Sequence, residues 1–213
     1  MTVAELADAL GDFKIVPVIR IEDPDSAVPL GEALLDGGLP VAEITFRTGA
    51  AEESIRRLNR ELPDLLLGAG TLLTTEQVDR ALDAGAAFGV APGFNARVVE
   101  HALDRQLPFL PGVNNPTGVE QGLALGLELL KFFPAELSGG VGMLKALSGP
   151  YGSVRFIPTG GVRLANLESY LSLPNVIACG GSWIVPSEAL ERDDFDQIRE
   201  LTTEACEIAN SAY

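Results

Sequence analysis

The sequence predicts an α/β fold, a single (β/α)8 TIM barrel spanning residues 1–213 with an N-terminal capping helix. Two observations predict it. Strand-like apolar runs recur near Ile15, Val41, Leu65, Ala87, Pro108, Leu129, Val154 and Val176, every 21 to 26 residues, which makes eight units. Amphipathic segments with helix signals lie between them: Asp23-Pro24 ahead of the first, Thr74-Thr75-Glu76-Gln77 ahead of the third, and Gly37-Gly38 and Gly85 as stops. Parallel strands require such crossovers, and eight of them close most economically as a barrel. A doubly wound open sheet is the competing architecture.

Taken in order, the chain opens on MTVAELADALGD, where Val3, Leu6, Ala7 and Leu10 fall at helical spacing with no basic region, so it reads as a capping helix and not a signal peptide. The first strand, KIVPVIR, ends in Arg20. In the second, VAEITFRT, alternation puts Glu43, Thr45 and Arg47 on one face and Ala42, Ile44 and Phe46 on the other; the polar set faces inward if the apolar set packs on helices. In the third, Gly68 and Gly70 are expected to face the helices, with Thr71 at the mouth. Leu73 occupies the place of the third glycine of a dinucleotide fingerprint, so dinucleotide binding is rejected. The fourth and fifth strands end in Ala91-Pro92-Gly93-Phe94 and Pro111-Gly112-Val113, rim loops with little to titrate. The sixth carries Lys131 within LLKFFPAE, closed by Pro134. The seventh ends in Pro158-Thr159-Gly160-Gly161, and the eighth in Cys179-Gly180-Gly181-Ser182-Trp183, which is expected to open a short helix. Asp193 to Tyr213 reads as the closing amphipathic helix.

Composition narrows the function. The net charge of -15, from 15 basic and 30 acidic residues, argues against nucleic acid or anionic lipid as partner and means that an anionic substrate needs local help. Glycine and proline are scattered, with no linker or low-complexity stretch, and no run of about 18 apolar residues exists to span a membrane. Cys179 and Cys206 lack metal spacing and are too few for a disulfide framework, which predicts a reducing, cytoplasmic location. The one histidine, His101, lies in a helical segment away from any strand end, which disfavours a multi-imidazole zinc site; a carboxylate-held magnesium is the alternative, with no clustered ligands to suggest it. Neither metal nor cofactor is expected.

The chemistry centres on Lys131. Alternation groups it with Leu129 and Phe133, opposite Leu130 and Phe132, and desolvation in such a strand disfavours the ammonium. A neutral amine attacks a ketone to form a Schiff base. The structural alternative is a lysine that snorkels at the strand end or pairs with a carboxylate. Lys14 sits at the wrong end of the first strand and Lys145 in a helix-like segment, so only Lys131 suits an imine. In an eight-stranded barrel the second and sixth strands face each other and supply the same layers, so Glu43 and Lys131 can converge. Glu43 then moves protons, while Arg47 and Thr71 are placed to hold a carboxylate; an internal Glu43–Arg47 ion pair is the alternative. The paired glycines after the seventh and eighth strands lie where barrels commonly bind phosphate on loop amides, unless they are only tight turns. Imine, carboxylate shuttle and phosphate site together describe a class I aldolase. Competing readings are a non-covalent phosphate-binding isomerase or epimerase that uses Glu43, and a barrel that only binds a sugar phosphate.

The ordered set EITFRT at 43–48, GAGT at 68–71, PG at 111–112, KFFPAE at 131–136, PTGG at 158–161 and GGSW at 180–183 resembles the 2-keto-3-deoxy-6-phosphogluconate (KDPG) aldolase family over nearly the whole chain. The resemblance implies a homotrimeric barrel of the Entner-Doudoroff pathway that cleaves this phosphorylated keto acid to pyruvate and glyceraldehyde 3-phosphate. Many members also cleave 4-hydroxy-2-oxoglutarate (KHG) to pyruvate and glyoxylate. Carried over by motif, Lys131 is the Schiff-base lysine and Glu43 the acid/base acting through a water. Arg47, Thr71 and Phe133 line the pyruvate end, Thr159 lies mid-substrate, and Gly160, Gly161, Gly181 and Ser182 meet the phosphate. Phe46 replaces the family's leucine, and VNNPTG at 113–118 departs from its pattern. The choice among the gluconate-derived phosphate, the galactonate-derived phosphate and KHG therefore stays open.

Overall fold

The computed structural model describes residues 1–211. Ala212 and Tyr213, the end of the predicted closing helix, lie outside the described residues. The first helix, α1 (Val3–Phe13), starts with a reciprocal cap in which the Thr2 amide donates to Glu5 and the Glu5 amide donates to Thr2 Oγ1, at 2.7 and 3.2 Å. It buries Leu6 and Leu10. Strands and helices then alternate. The strands are β1 (Ile15–Ile19), β2 (Val41–Thr45), β3 (Leu66–Gly70), β4 (Phe88–Val90), β5 (Phe109–Leu110), β6 (Gly112–Val113), β7 (Leu129–Phe132), β8 (Arg155–Pro158) and β9 (Cys179–Gly181). The helices that return the chain are α2 (Ala27–Asp36), α3 (Ala51–Glu61), α4 (Thr75–Ala84), α5 (Ala96–Asp104), α6 (Pro116–Ala124), α7 (Gly140–Ser148), α8 (Leu164–Leu171), α9 (Ser187–Glu191) and α10 (Phe195–Ser211).

Their ends follow the expected signals. Thr74 accepts from the Gln77 amide to start α4, and Gly85 ends it at φ 99°. A side chain at Gly85 would also strike Asn59, 2.4 Å from an added Cβ. Asp23-Pro24 differs in detail: Asp23 caps a short 3-10 turn, Pro24–Ser26, that leads into α2.

All strand pairs are parallel, in the orders β5-β4-β3-β2-β1-β9 and β6-β7-β8. The two ladders meet at two places. Pro111 separates β5 from β6, because it has no N–H to donate, yet its carbonyl still accepts from the Lys131 amide at 3.1 Å. Between β8 and the β9 segment run two isolated parallel bridges, Phe156–Val176 and Thr159–Gly180. The sheet is curled enough that Val16 of β1, Glu43 of β2, Leu110 of β5, Lys131 of β7 and Ile157 of β8 line one interior. Leu10 of α1 lines it too, fully buried.

Two expectations are corrected here. Gly68 and Gly70 face the interior and not the helices. Partners across a parallel ladder share a face, and Gly68 pairs with Glu43, Gly70 with Thr45. A Cβ at Gly68 would lie 2.2 Å from the Phe88 ring, and one at Gly70 would lie 2.2 Å from Glu43 Oε1. The glycines thus make room for inward side chains. The segment after β9 is likewise not a helix at Ser182-Trp183. It bends and turns through residues 182–185, and Pro186, in an extended conformation that no helix interior permits, holds α9 back to Ser187.

Candidate active site

The alternation of β7 sends Lys131 inward and Leu130 and Phe132 outward, where the Phe132 ring packs edge-to-face on Phe156 of β8 with centroids 6.3 Å apart. Such a contact contributes about 0.5–1.5 kcal/mol beyond burial and holds the lysine's strand against its neighbour. Inside, Lys131 Nζ lies 3.1 and 3.3 Å from the two carboxylate oxygens of Glu43, across the interior from β2. Both side chains are buried, at 6 % and 4 % exposure. Neither charge is tolerable there alone: removing one partner of a buried pair costs about 3–5 kcal/mol. The ring of Phe133 completes the setting, with Nζ 5.8 Å from its centroid. Glu43 therefore pairs with Lys131 and not with Arg47. Thr45, the other polar residue of β2, donates to the Ile19 carbonyl at 2.8 Å and is satisfied.

Above the pair opens a cleft of about 490 Å³ at the C-terminal ends of the strands. Arg47, Phe133, Thr159, Gly160, Gly161, Gly181 and Ser182 line it. Thr159 belongs to the cleft and to the interior alike, and a Cβ on the bridging Gly180 would come within 2.2 Å of its Oγ1. Three predicted residues do not line the cleft: Lys131 and Glu43, which line the interior beneath it, and Thr71, which lines neither. Thr71 stands one residue past β3 at φ 60°, an uncommon conformation for a β-branched residue.

The glycine loop after β8 is braced. Gly160 and Gly161 have φ 97° and 83°, which suits glycine, and a Cβ at Gly161 would lie 2.6 Å from Glu136 Cγ. The Glu136 amide donates to the Gly160 carbonyl at 3.1 Å, and its carboxylate accepts from the Tyr170 hydroxyl. Burial first, then that carboxylate, pushes the Tyr170 phenol well above its ordinary value, so the hydroxyl keeps its proton and donates. Asn166 ties the loop to α8: its Oδ1 accepts from the Arg163 amide at 2.8 Å and its Nδ2 donates to the Gly161 carbonyl at 3.2 Å. The amides of Gly161 and Ser182 donate to no acceptor among the described residues. They are available to an anion.

Sequence reasoning assigned no part to Trp183, Glu136 or Tyr170. Trp183 packs over Gly181, where an added Cβ would fall within 1.5 Å of the indole, and its buried Nε1 has no acceptor among the described residues. The GGSW motif was its signal. Tyr170 meets Glu136 from another helix, a pairing that no spacing along the chain announces. Among the described residues, no group of three or more His, Cys, Asp or Glu side chains could hold a metal ion. His101 instead pairs with Asp79 at 3.0 Å between helices α5 and α4. Burial raises the Cys179 thiol far above its ordinary value, which leaves it inert.

One prediction arises from the packing. Gly70→Ala puts a methyl where the Glu43 carboxylate lies, so the acid is displaced from Lys131 while the strand can still form. Because displacement of a reacting group by about 1 Å costs on the order of 100-fold, kcat in a pyruvate-release assay should fall by at least tenfold, with an unchanged far-UV circular dichroism spectrum.

The family model for KDPG and KHG aldolases matches residues 6–201. A 2-dehydro-3-deoxy-phosphogluconate aldolase of Treponema pallidum (strain Nichols) is 47% identical over 201 residues, 94% of this chain and 96% of that protein. The KDPG aldolase of Legionella pneumophila, solved with pyruvate captured as a covalent carbinolamine, superposes with a TM-score of 0.91 at 40% identity and covers 93% of this chain and 97% of that one. The 2-keto-3-deoxy-6-phosphogluconate aldolase of Zymomonas mobilis ZM4, solved with 3-phosphoglycerate, gives 0.88 at 41% identity, over 93% and 94% of the two chains.

Proposed function

The chain belongs to the KDPG and KHG aldolase family, and from that premise we infer that it is a class I aldolase cleaving 2-keto-3-deoxy-6-phosphogluconate to pyruvate and glyceraldehyde 3-phosphate. The observation that carries this reading is the buried Lys131–Glu43 contact at 3.1 Å beneath an open cleft. Glu43 takes a proton from the Lys131 ammonium, and the neutral amine adds to the C2 ketone. Loss of water from the carbinolamine leaves a protonated imine. Glu43, having given its proton to the departing water, takes the C4 hydroxyl proton; the C3–C4 bond breaks, its electron pair moves into the imine to form an enamine, and glyceraldehyde 3-phosphate departs. Protonation at C3, again by way of Glu43, and hydrolysis release pyruvate and restore Lys131.

For the remaining residues, Arg47 binds the substrate carboxylate as a charge-assisted fork, with Thr71 beside it, and Phe133 covers the pyruvate carbons. Thr159 meets the middle of the substrate. Gly160, Gly161, Gly181 and Ser182 hold the phosphate, which the free amides of Gly161 and Ser182 support. We propose in addition that residues 1–213 form one domain and that the sheet closes as an eight-stranded barrel. The bridges between β8 and β9 and the continuity of β5 and β6 through Pro111 support closure. A homotrimer is proposed on the family resemblance and a cytoplasmic location on the two free cysteines; no helix among the described residues is long and apolar enough to cross a membrane.

Pyruvate release measured on KDPG, on its galactonate-derived epimer and on KHG tests the assignment. The gluconate-derived phosphate should give the highest kcat/KM. No pyruvate from any of the three would contradict the reading.

A further inference from the structure

Glu136 and Tyr170 take no part in the covalent steps, yet they close a circuit of chain beside the site. From Lys131 the chain leaves β7 at Phe132 and reaches Glu136, while from β8 it passes through Gly160 and Gly161 into α8, which carries Tyr170 in its last turn. Three backbone bonds join these two exits. The Thr159 amide donates to the Phe132 carbonyl at 2.9 Å, the Ala135 amide to the Thr159 carbonyl at 2.8 Å and the Glu136 amide to the Gly160 carbonyl at 3.1 Å. The Tyr170 hydroxyl, donating to Glu136 Oε1, ties the far end of α8 back to the lysine's segment.

Tyr170 is fully buried, whereas Glu136 reaches it from an exposed position. Gly140, at φ 52°, leaves room for the pair: a Cβ there would lie 3.0 Å from the tyrosine oxygen and 3.1 Å from Glu136 Oε1. A hydrogen bond to a carboxylate is stronger than one between neutral groups, and a buried phenol has no water to replace it. The Glu136 side chain also packs where a side chain on Gly161 would stand, so the tie bears on the glycine loop itself.

The consequence concerns substrate length. Lys131 fixes the C2 end of the substrate, and the loop can meet the other end only if its separation from Lys131 is held. KDPG is long enough to use both; KHG is one carbon shorter and lacks the phosphate. We propose that the Tyr170–Glu136 hydrogen bond is a specificity device that holds the glycine loop at a fixed separation from Lys131 and so sets the preference for KDPG over KHG. The two side chains are positioning residues and touch no reacting atom. The proposal rests on the aldolase reading above.

The test measures kcat/KM for pyruvate release from KDPG and from KHG, together with deuterium exchange at the methyl group of pyruvate. The proteins are the full-length wild type, Tyr170→Phe, Glu136→Ala and Glu136→Gln. Tyr170→Phe keeps the buried ring and removes only the hydroxyl, and the exposed Glu136 carboxylate then turns to water. Loss of one hydrogen bond to a charged group corresponds to roughly a tenfold change. Tyr170→Phe and Glu136→Ala should each lower the KDPG-to-KHG ratio by about that factor, through KM for KDPG. KHG cleavage and pyruvate exchange, which need only the Lys131–Glu43 end, should stay at the wild-type rate, a split that a general loss of structure does not produce. Glu136→Gln, whose amide oxygen still accepts from the tyrosine, should keep the wild-type ratio. A ratio retained in Tyr170→Phe, a ratio in Glu136→Gln as low as in Glu136→Ala, or KHG cleavage and exchange falling in step with KDPG overturns the proposal and leaves the aldolase reading intact. No pyruvate from either acid in the wild type overturns the aldolase reading, and the proposal with it.

Discussion

Lys131→Arg should abolish aldol cleavage, lowering kcat on the order of 10⁴-fold or more, while the protein stays folded. Arginine keeps the positive charge beside Glu43, so the buried pair that Lys131 forms at 3.1 Å is not left as a lone carboxylate. It cannot form an imine, because the guanidinium does not give up its proton at working pH. A non-covalent lyase that needed only a cation at this position would keep much of its rate. Rates of pyruvate release, compared with a circular dichroism spectrum of the same preparation, separate the two. Lys131→Ala is the less informative variant, since it strands the Glu43 charge and costs stability as well as chemistry.

Glu43→Gln should lower kcat by about 10²- to 10⁴-fold, the usual contribution of a positioned acid or base. Glutamine is isosteric and still accepts a hydrogen bond from Nζ, so the geometry around Gly70 survives. It can neither take the ammonium proton nor deliver one to C3 of the enamine. The variant should therefore also lose deuterium exchange at the methyl group of pyruvate. With its counter-charge gone, the buried Lys131 ammonium should cost on the order of 3–5 kcal/mol of stability, read as a lower denaturation midpoint. A variant that exchanges pyruvate protons at the wild-type rate would remove Glu43 from the mechanism.

Both residues were legible in the sequence, and for a physical reason. A lysine and a glutamate within apolar strands stand out because burial is costly to each, and the curled parallel sheet brings Glu43 of β2 and Lys131 of β7 to one interior. The helix ends at Thr74 and Gly85 were equally legible, since capping chemistry is local. Glycine gave no such guide. Without a side chain, Gly68 and Gly70 carry no polarity from which to read a face, and only the ladder register with Glu43 and Thr45 turns them inward. The delay of α9 to Ser187 follows from Pro186, a residue further on than the glycine motif that suggested a helix. Thr71 was placed at the mouth by alternation, which its left-handed backbone interrupts. Contacts between distant elements, such as Tyr170 with Glu136, or Arg20 sharing a wall with Ser182, exist only once the strands are in order.

The central claim is covalent chemistry at Lys131. Incubation of the full-length protein with pyruvate and sodium borohydride, followed by peptide mass spectrometry, tests it directly. The account predicts a reduced pyruvyl adduct on the peptide containing Lys131, and none on those containing Lys14 or Lys145. No adduct with folded protein and excess pyruvate, or an adduct confined to another lysine, would contradict it.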